Sequence, residues 1–158
     1  MALQVGDKIP EILGRDQDGK TVTAEQFSGK KLALYFYPKD NTPGCTAQAC
    51  SLRDGYNNLR KAGYEIVGVS VDSEKSHQKF IDKYSLPFPL IADSDKKLVE
   101  KFGVWQEKSM MGKKFMGTVR TTFLADENGI IQHKIEGRAV DTKNHAAQIL
   151  EKIEAGRH

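Results

Sequence analysis

Cysteine is scarce in this chain: two in 158 residues. Two thiols cannot form the disulfide framework of a small secreted protein, and a chain of this length buries a core without one. Long apolar runs are also missing. None approaches the ~20 residues that a membrane-spanning helix requires. The opening MALQVGDKIP carries charge where a secretory leader needs an apolar stretch. No block of lysine and arginine stands out against the net charge of +3, so neither a nucleic-acid face nor a membrane surface is expected. Repeats, low-complexity tracts and linkers are absent as well. These absences predict one domain over residues 1–158, located in the cytoplasm, where thiols stay reduced.

What is present fits an ordinary globular protein, with 39% hydrophobic and 28% charged residues. The pattern opens with a β-hairpin, residues 11–15 and 21–23 around the turn DQDG. KLALYFYP, residues 31–38, reads as a buried strand. A helix follows, with Thr42 as its cap, Pro43 in its first turn and Gly63 at its end. YEIVGVSVD is a second buried strand. Next comes a helix over 74–84 with His77, Phe80, Ile81 and Tyr84 on one face. LPFPLIAD is a short extended piece, and DKKLVEKFG a short helix. EKSMMGKKFMG reads as a solvated loop holding Lys113 and Lys114, with Trp105 and Phe115 either packing or walling a pocket. TTFLADENGIIQHKIEG is a hairpin turning at 127–129, and the last helix buries Ala146, Ile149, Leu150 and Ile153. Alternating strands and helices followed by a hairpin predict an α/β fold: a thioredoxin-like mixed sheet flanked by helices, with an N-terminal β-hairpin.

Both cysteines fall within YPKDNTPGCTAQAC. From Cys45, residues Ala49, Leu52, Tyr56 and Leu59 form an apolar stripe. Cys50 lies about 140° round the helix from Cys45, beside Arg53, Asp54 and Asn57. In an intact helix their α-carbons are roughly 8.7 Å apart, whereas a disulfide needs about 4.4 to 6.8 Å. The pair can bridge only if the first turns unwind, which weak helix formers and Gly44 ease. Cys45 sits in the first turn, where free N–H groups and the helix dipole favour an anion, and the thiolate is the nucleophile. Thr42 can set its hydroxyl beside the sulfur, and Pro38 stiffens the loop. Lys39, Arg53 and Arg120 can each supply positive charge. Arg120 is the best placed, because it opens the strand RTTFLAD, and its guanidinium stays charged.

PKDNTPGC has the Pro-x-x-x-Thr-x-x-Cys signature of the peroxiredoxins, and TPGCTAQAC resembles the peroxiredoxin Q group, also called bacterioferritin comigratory protein. GDKIP, DGKTVT, FGVWQEKS, GKKFMG and RTTFLAD fall in the same order as in that family. The resemblance implies a thiol-dependent peroxidase acting on hydrogen peroxide and organic hydroperoxides. It implies that Cys45 is peroxidatic and Cys50 resolving, that Thr42 bonds peroxide and sulfur, that Pro38 shields the pocket and that Arg120 is the active-site arginine. Many relatives carry Glu where this chain has Gln48. A thioredoxin or similar dithiol is the implied reductant, no cofactor or metal is implied, and the internal cysteine pair favours a monomer.

Two other classes remain at this point. A thiol-disulfide oxidoreductase or redox-sensing module can use the same fold, but such proteins place their thiols as Cys-x-x-Cys. A structural protein would leave both thiols inert. Metal binding is disfavoured because no close Cys or His pairs supply four ligands. His77 suits a helix face, His133 an exposed strand position, and His145 and His158 lie at or near the last helix. All four read as structural or solvated.

Overall fold

The computed structural model describes residues 2–155; His158 lies outside them. Strands β1 (Ile12–Arg15) and β2 (Thr21–Thr23) form the expected N-terminal hairpin. Central strand β3 (Lys31–Phe36) is followed by helices α1 (Pro43–Asp54) and α2 (Tyr56–Lys61). Then come β4 (Tyr64–Ser70), α3 (Glu74–Tyr84), β5 (Leu90–Ala92) and α4 (Lys97–Lys101). β6 (Trp105–Met110) and β7 (Lys113–Thr118) precede β8 (Thr121–Ala125), β9 (Ile131–Glu136) and α5 (His145–Ala155).

The main sheet has the order β5-β4-β3-β8-β9. β3 is parallel to β4 and antiparallel to β8, so the helical crossovers and the C-terminal hairpin meet along one strand. Alternation along β3 divides its side chains between two cores. Ala33 and Tyr35 join Cys45, Ala49, Leu52, Phe80 and Ile149 on the face covered by α1, α2, α3 and α5. Leu32, Leu34 and Phe36 join Val99, Phe102 and Leu13 on the face covered by α4 and the N-terminal hairpin. This is the mixed sheet with helices on both faces that the pattern implied.

Three expectations need correction. The helix expected to run from Thr42 to Gly63 breaks at Gly55. A Cβ there would lie 2.3 Å from the Cβ of Ala146, so α1 meets α5 too closely for any side chain. The segment read as a loop, EKSMMGKKFMG, belongs to a regular antiparallel ribbon, β6–β7, paired from Trp105↔Thr118 to Met110↔Lys113. It forms a two-stranded sheet of its own with most of both faces exposed, so it has no apolar alternation to betray it. His133 is half-buried rather than exposed.

Candidate active site

The site forms where β3 ends and α1 begins. Pro38 is half-buried in the connecting loop. Thr42 occupies the N-cap position with extended backbone, and Pro43 is the first helical residue. The Thr42 hydroxyl does not cap the helix; it donates to the Lys39 carbonyl at 2.8 Å, holding the loop against the helix start. The N–H groups of Gly44 and Cys45 lie in the first turn, which has no acceptor of its own. They and the helix dipole favour negative charge at this point.

Arg120, just before β8, delivers its guanidinium to the same place. Nη2 donates to the Cys45 sulfur at 3.4 Å, and Nη1 donates to Gln48 Oε1 at 2.6 Å. The guanidinium packs closely on the helix start: a Cβ on Gly44 would come within 3.1 Å of Nη2. Gln48 is fully buried one turn beyond Cys45, so the amide fixes the fork from behind. Neither Lys39 nor Arg53 takes this position. Lys39 is exposed, and Arg53 donates to the Tyr84 carbonyl at 2.8 Å and pairs with Asp54 at 3.0 Å.

Cys45 and Cys50 are both free thiols. Cys45 is buried at 1% exposure, and Cys50 is half-buried. Both lie within the intact α1, five residues apart. A bond between them requires α1 to unwind.

Several residues of the site escaped sequence reasoning. Asp40 and His77 lie 37 residues apart and form a buried pair, Nδ1 to Oδ2 at 2.6 Å. His77 Nε2 donates to the Ile91 carbonyl at 2.9 Å, Ser76 donates to Asp40 at 2.8 Å, and Tyr37 donates to it at 2.5 Å. The Asp40 backbone N–H adds a bond to Asp72 at 2.8 Å. Asn41 follows with a positive φ of 60°, its side chain accepting from the Tyr84 hydroxyl at 3.1 Å. The loop that presents Cys45 is thus fixed from below. Tyr35 lies under α1 with a buried hydroxyl that has no partner among the described residues. Burial pushes that hydroxyl well above its usual range, and charge on Cys45 adds to the effect. Only aromatic enrichment in LYFYP hinted at Tyr35. His145 is structural, as expected: it meets the Thr122 hydroxyl at 2.8 Å and Gln148 at 2.9 Å.

Among the described residues, no group of three His, Cys, Asp or Glu is placed to hold a metal ion, and no helix is long and apolar enough to cross a membrane. The arrangement suits a different chemistry. A thiol sits at a helix start, under a guanidinium, with a second thiol on the same helix.

Known proteins share this arrangement's sequence and fold. The AhpC/TSA family profile matches residues 5–134. Peroxiredoxin Bcp of Bacillus subtilis is 42% identical over 153 residues, covering 97% of this chain and 96% of that protein. A crystal structure of a peroxiredoxin Q from Xylella fastidiosa, with one cysteine replaced by serine, superposes with a TM-score of 0.88 at 31% identity, covering 100% of this chain and 99% of that one. A structure of the bacterioferritin comigratory protein of Xanthomonas campestris, described in connection with its alkyl peroxide reduction activity, matches with a TM-score of 0.83 at 34% identity, covering 96% and 100%. Together with the fold, these matches mean that the chain belongs to the AhpC/TSA family, in its peroxiredoxin Q or Bcp group of thiol-dependent peroxidases.

Proposed function

We propose that Cys45 is the peroxidatic cysteine of this thiol peroxidase and Cys50 the resolving one. The observation that carries the reading is the Arg120 contact, a charged donor 3.4 Å from one sulfur and held there by Gln48. The Cys45 thiolate attacks one oxygen of hydrogen peroxide or an organic hydroperoxide, and the O–O bond breaks. The sulfur becomes a sulfenic acid, and the departing oxygen takes a proton and leaves as water or alcohol. Negative charge moves from sulfur to oxygen along this path. Arg120 and the N–H groups of the first turn stand where that charge develops. Thr42, whose hydroxyl donates to the Lys39 carbonyl in this state, is assigned the contact with the peroxide. Pro38 and Tyr35 limit water at the sulfur.

The first turns of α1 then unwind, and the Cys50 thiol attacks the sulfenic sulfur. A disulfide forms within the chain and water leaves. A dithiol protein, thioredoxin or one like it, reduces that disulfide by exchange. Both thiols belong to one helix, so turnover needs no second copy, which favours a monomer working in the reducing cytoplasm.

Peroxide consumption by the purified protein, coupled to a thioredoxin system, tests the reading. Wild-type protein should turn over, and Cys45→Ser should be inert. Turnover by Cys45→Ser would remove the assignment. An insulin-reduction rate exceeding the peroxidase rate would favour the oxidoreductase class instead.

A further inference from the structure

Lys108 lies on β6 and folds its side chain across β7 instead of extending it into solvent. It is half-buried, and Nζ donates to the Thr118 carbonyl at 2.8 Å. Its stem crosses Gly117, where a Cβ would lie 3.0 Å from Lys108 Cδ. Thr118 is buried two residues before Arg120, so the segment that delivers the guanidinium also holds the ammonium. The adjacent carboxylate is turned away. Glu107 belongs to the other face of the strand and pairs with Lys114 at 3.8 Å. Among the described residues Lys108 makes no ion pair.

A lysine free to choose extends its ammonium into water. Here the ammonium is drawn in and partnered only by a backbone carbonyl, which is costly for a charge. Burial lowers its pKa from the ordinary 10.5, and Arg120 lowers it further, while charge on the Cys45 sulfur acts the other way. Thr118 holds the ammonium two residues before Arg120, whose guanidinium touches the Cys45 sulfur, so charge on that sulfur offsets a part, and only a part, of the cost of drawing the lysine in.

We infer that Lys108 is a second cation of the peroxide site, acting with Arg120 on the negative charge carried from the Cys45 sulfur to the departing oxygen. The inference rests on the assignment of Cys45 as the reacting thiol. It makes the β6–β7 ribbon part of the reaction centre. With Gln48 neutral, the site then holds two positive charges and, among the described residues, no carboxylate in contact with either.

Three variants separate charge from structure: Lys108→Arg, Lys108→Gln and Lys108→Met. Gln keeps a donor for the Thr118 carbonyl without the charge, and Met keeps neither. The quantity read is the rate constant for the first oxidation of reduced protein by hydrogen peroxide, without reductant, by rapid quench and mass spectrometry. Gln and Met should each be about tenfold slower, as expected for losing one nearby charge in a half-buried site, and Arg should stay within about threefold of wild type. Thermal unfolding should confirm that Gln and Met remain folded at the assay temperature. Wild-type rates in Met or Gln, or an Arg variant as slow as Gln, would overturn the role of Lys108 alone. Wild-type protein that peroxide leaves unoxidised at Cys45 would instead remove the assignment beneath it.

Discussion

Arg120 and Gln48 meet at 2.6 Å, and the same guanidinium touches the Cys45 sulfur through its other terminal nitrogen. The fork is therefore aimed by a neutral amide. An amide orients Arg120 without cancelling its charge, so the whole positive charge remains for the sulfur and its products. Gln48→Leu removes the anchor and keeps the buried position apolar and similar in volume. Arg120 then loses a hydrogen bond to a charged group, about 1.5–3 kcal/mol, and part of its aim. The first oxidation should slow by about tenfold or more, with little change in reduction of the disulfide. Single-turnover kinetics on both half-reactions checks this; equal slowing of both would contradict an aiming role.

Asp40 and His77 fix the loop beneath Cys45 from the opposite side. The carboxylate receives Tyr37, Ser76 and His77, all in a buried setting. Breaking such a group by removing one member leaves the others unpaired, at about 3–5 kcal/mol. Asp40→Asn should lower stability by about that amount in urea unfolding. It should also slow oxidation of Cys45, because Asn41 and Thr42 lose their seat. A variant with unchanged urea midpoint would mean that the network is not holding the loop.

How far the sequence announces this molecule depends on the range of the interactions involved. The bounds of α3, Glu74–Tyr84, follow from local apolar spacing, and the structure reproduces them and adds Ser73 as the N-cap. Cys45, Cys50, Thr42 and Pro38 share one short stretch, so their proximity is written in the chain, and Arg120 follows from its place at a strand start. The break at Gly55 has a local sign in the glycine itself, but the close approach of Ala146 that requires a glycine there lies far along the sequence. The β6–β7 ribbon has exposed residues on both faces, so periodicity is silent, and Lys108 was hidden with it. Asp40 with His77 is a pairing across β4, visible only once the sheet has formed.

Disulfide formation needs α1 to open, and Arg53 tethers the helix close to Cys50. Its Nη1 donates to the Tyr84 carbonyl on α3's last residue at 2.8 Å. Arg53→Leu cuts the tether while keeping helix propensity nearly equal. Conversion of sulfenic acid to disulfide should quicken by roughly tenfold, as for the loss of one hydrogen bond made by a charged group in the closed state. The first oxidation should be unchanged. In Cys50→Ser the sulfenic acid should persist, trapped by dimedone in mass spectrometry. Rapid loss of the dimedone adduct site in Cys50→Ser, without added thiol, would show that another group resolves it.

Asp93 supplies a pH-dependent part of the stability. Its carboxylate accepts from the N–H groups of Leu98 and Val99, at 3.1 and 2.8 Å, and so holds the start of α4. Burial raises its pKa from 3.8 to about 6, winning over these two hydrogen bonds, which act in the lowering direction. The folded chain therefore holds this proton more tightly than the unfolded chain. Stability from this group is complete below about pH 4 and is lost as pH rises through about 6, a change on the order of 3 kcal/mol. Asp93→Asn cannot titrate, so the stability of wild type minus that of the variant should shrink steadily from pH 4 to pH 7. Urea unfolding of both proteins at matched ionic strength measures it. A difference that grows with pH would mean that the two backbone bonds, not burial, set the behaviour of Asp93.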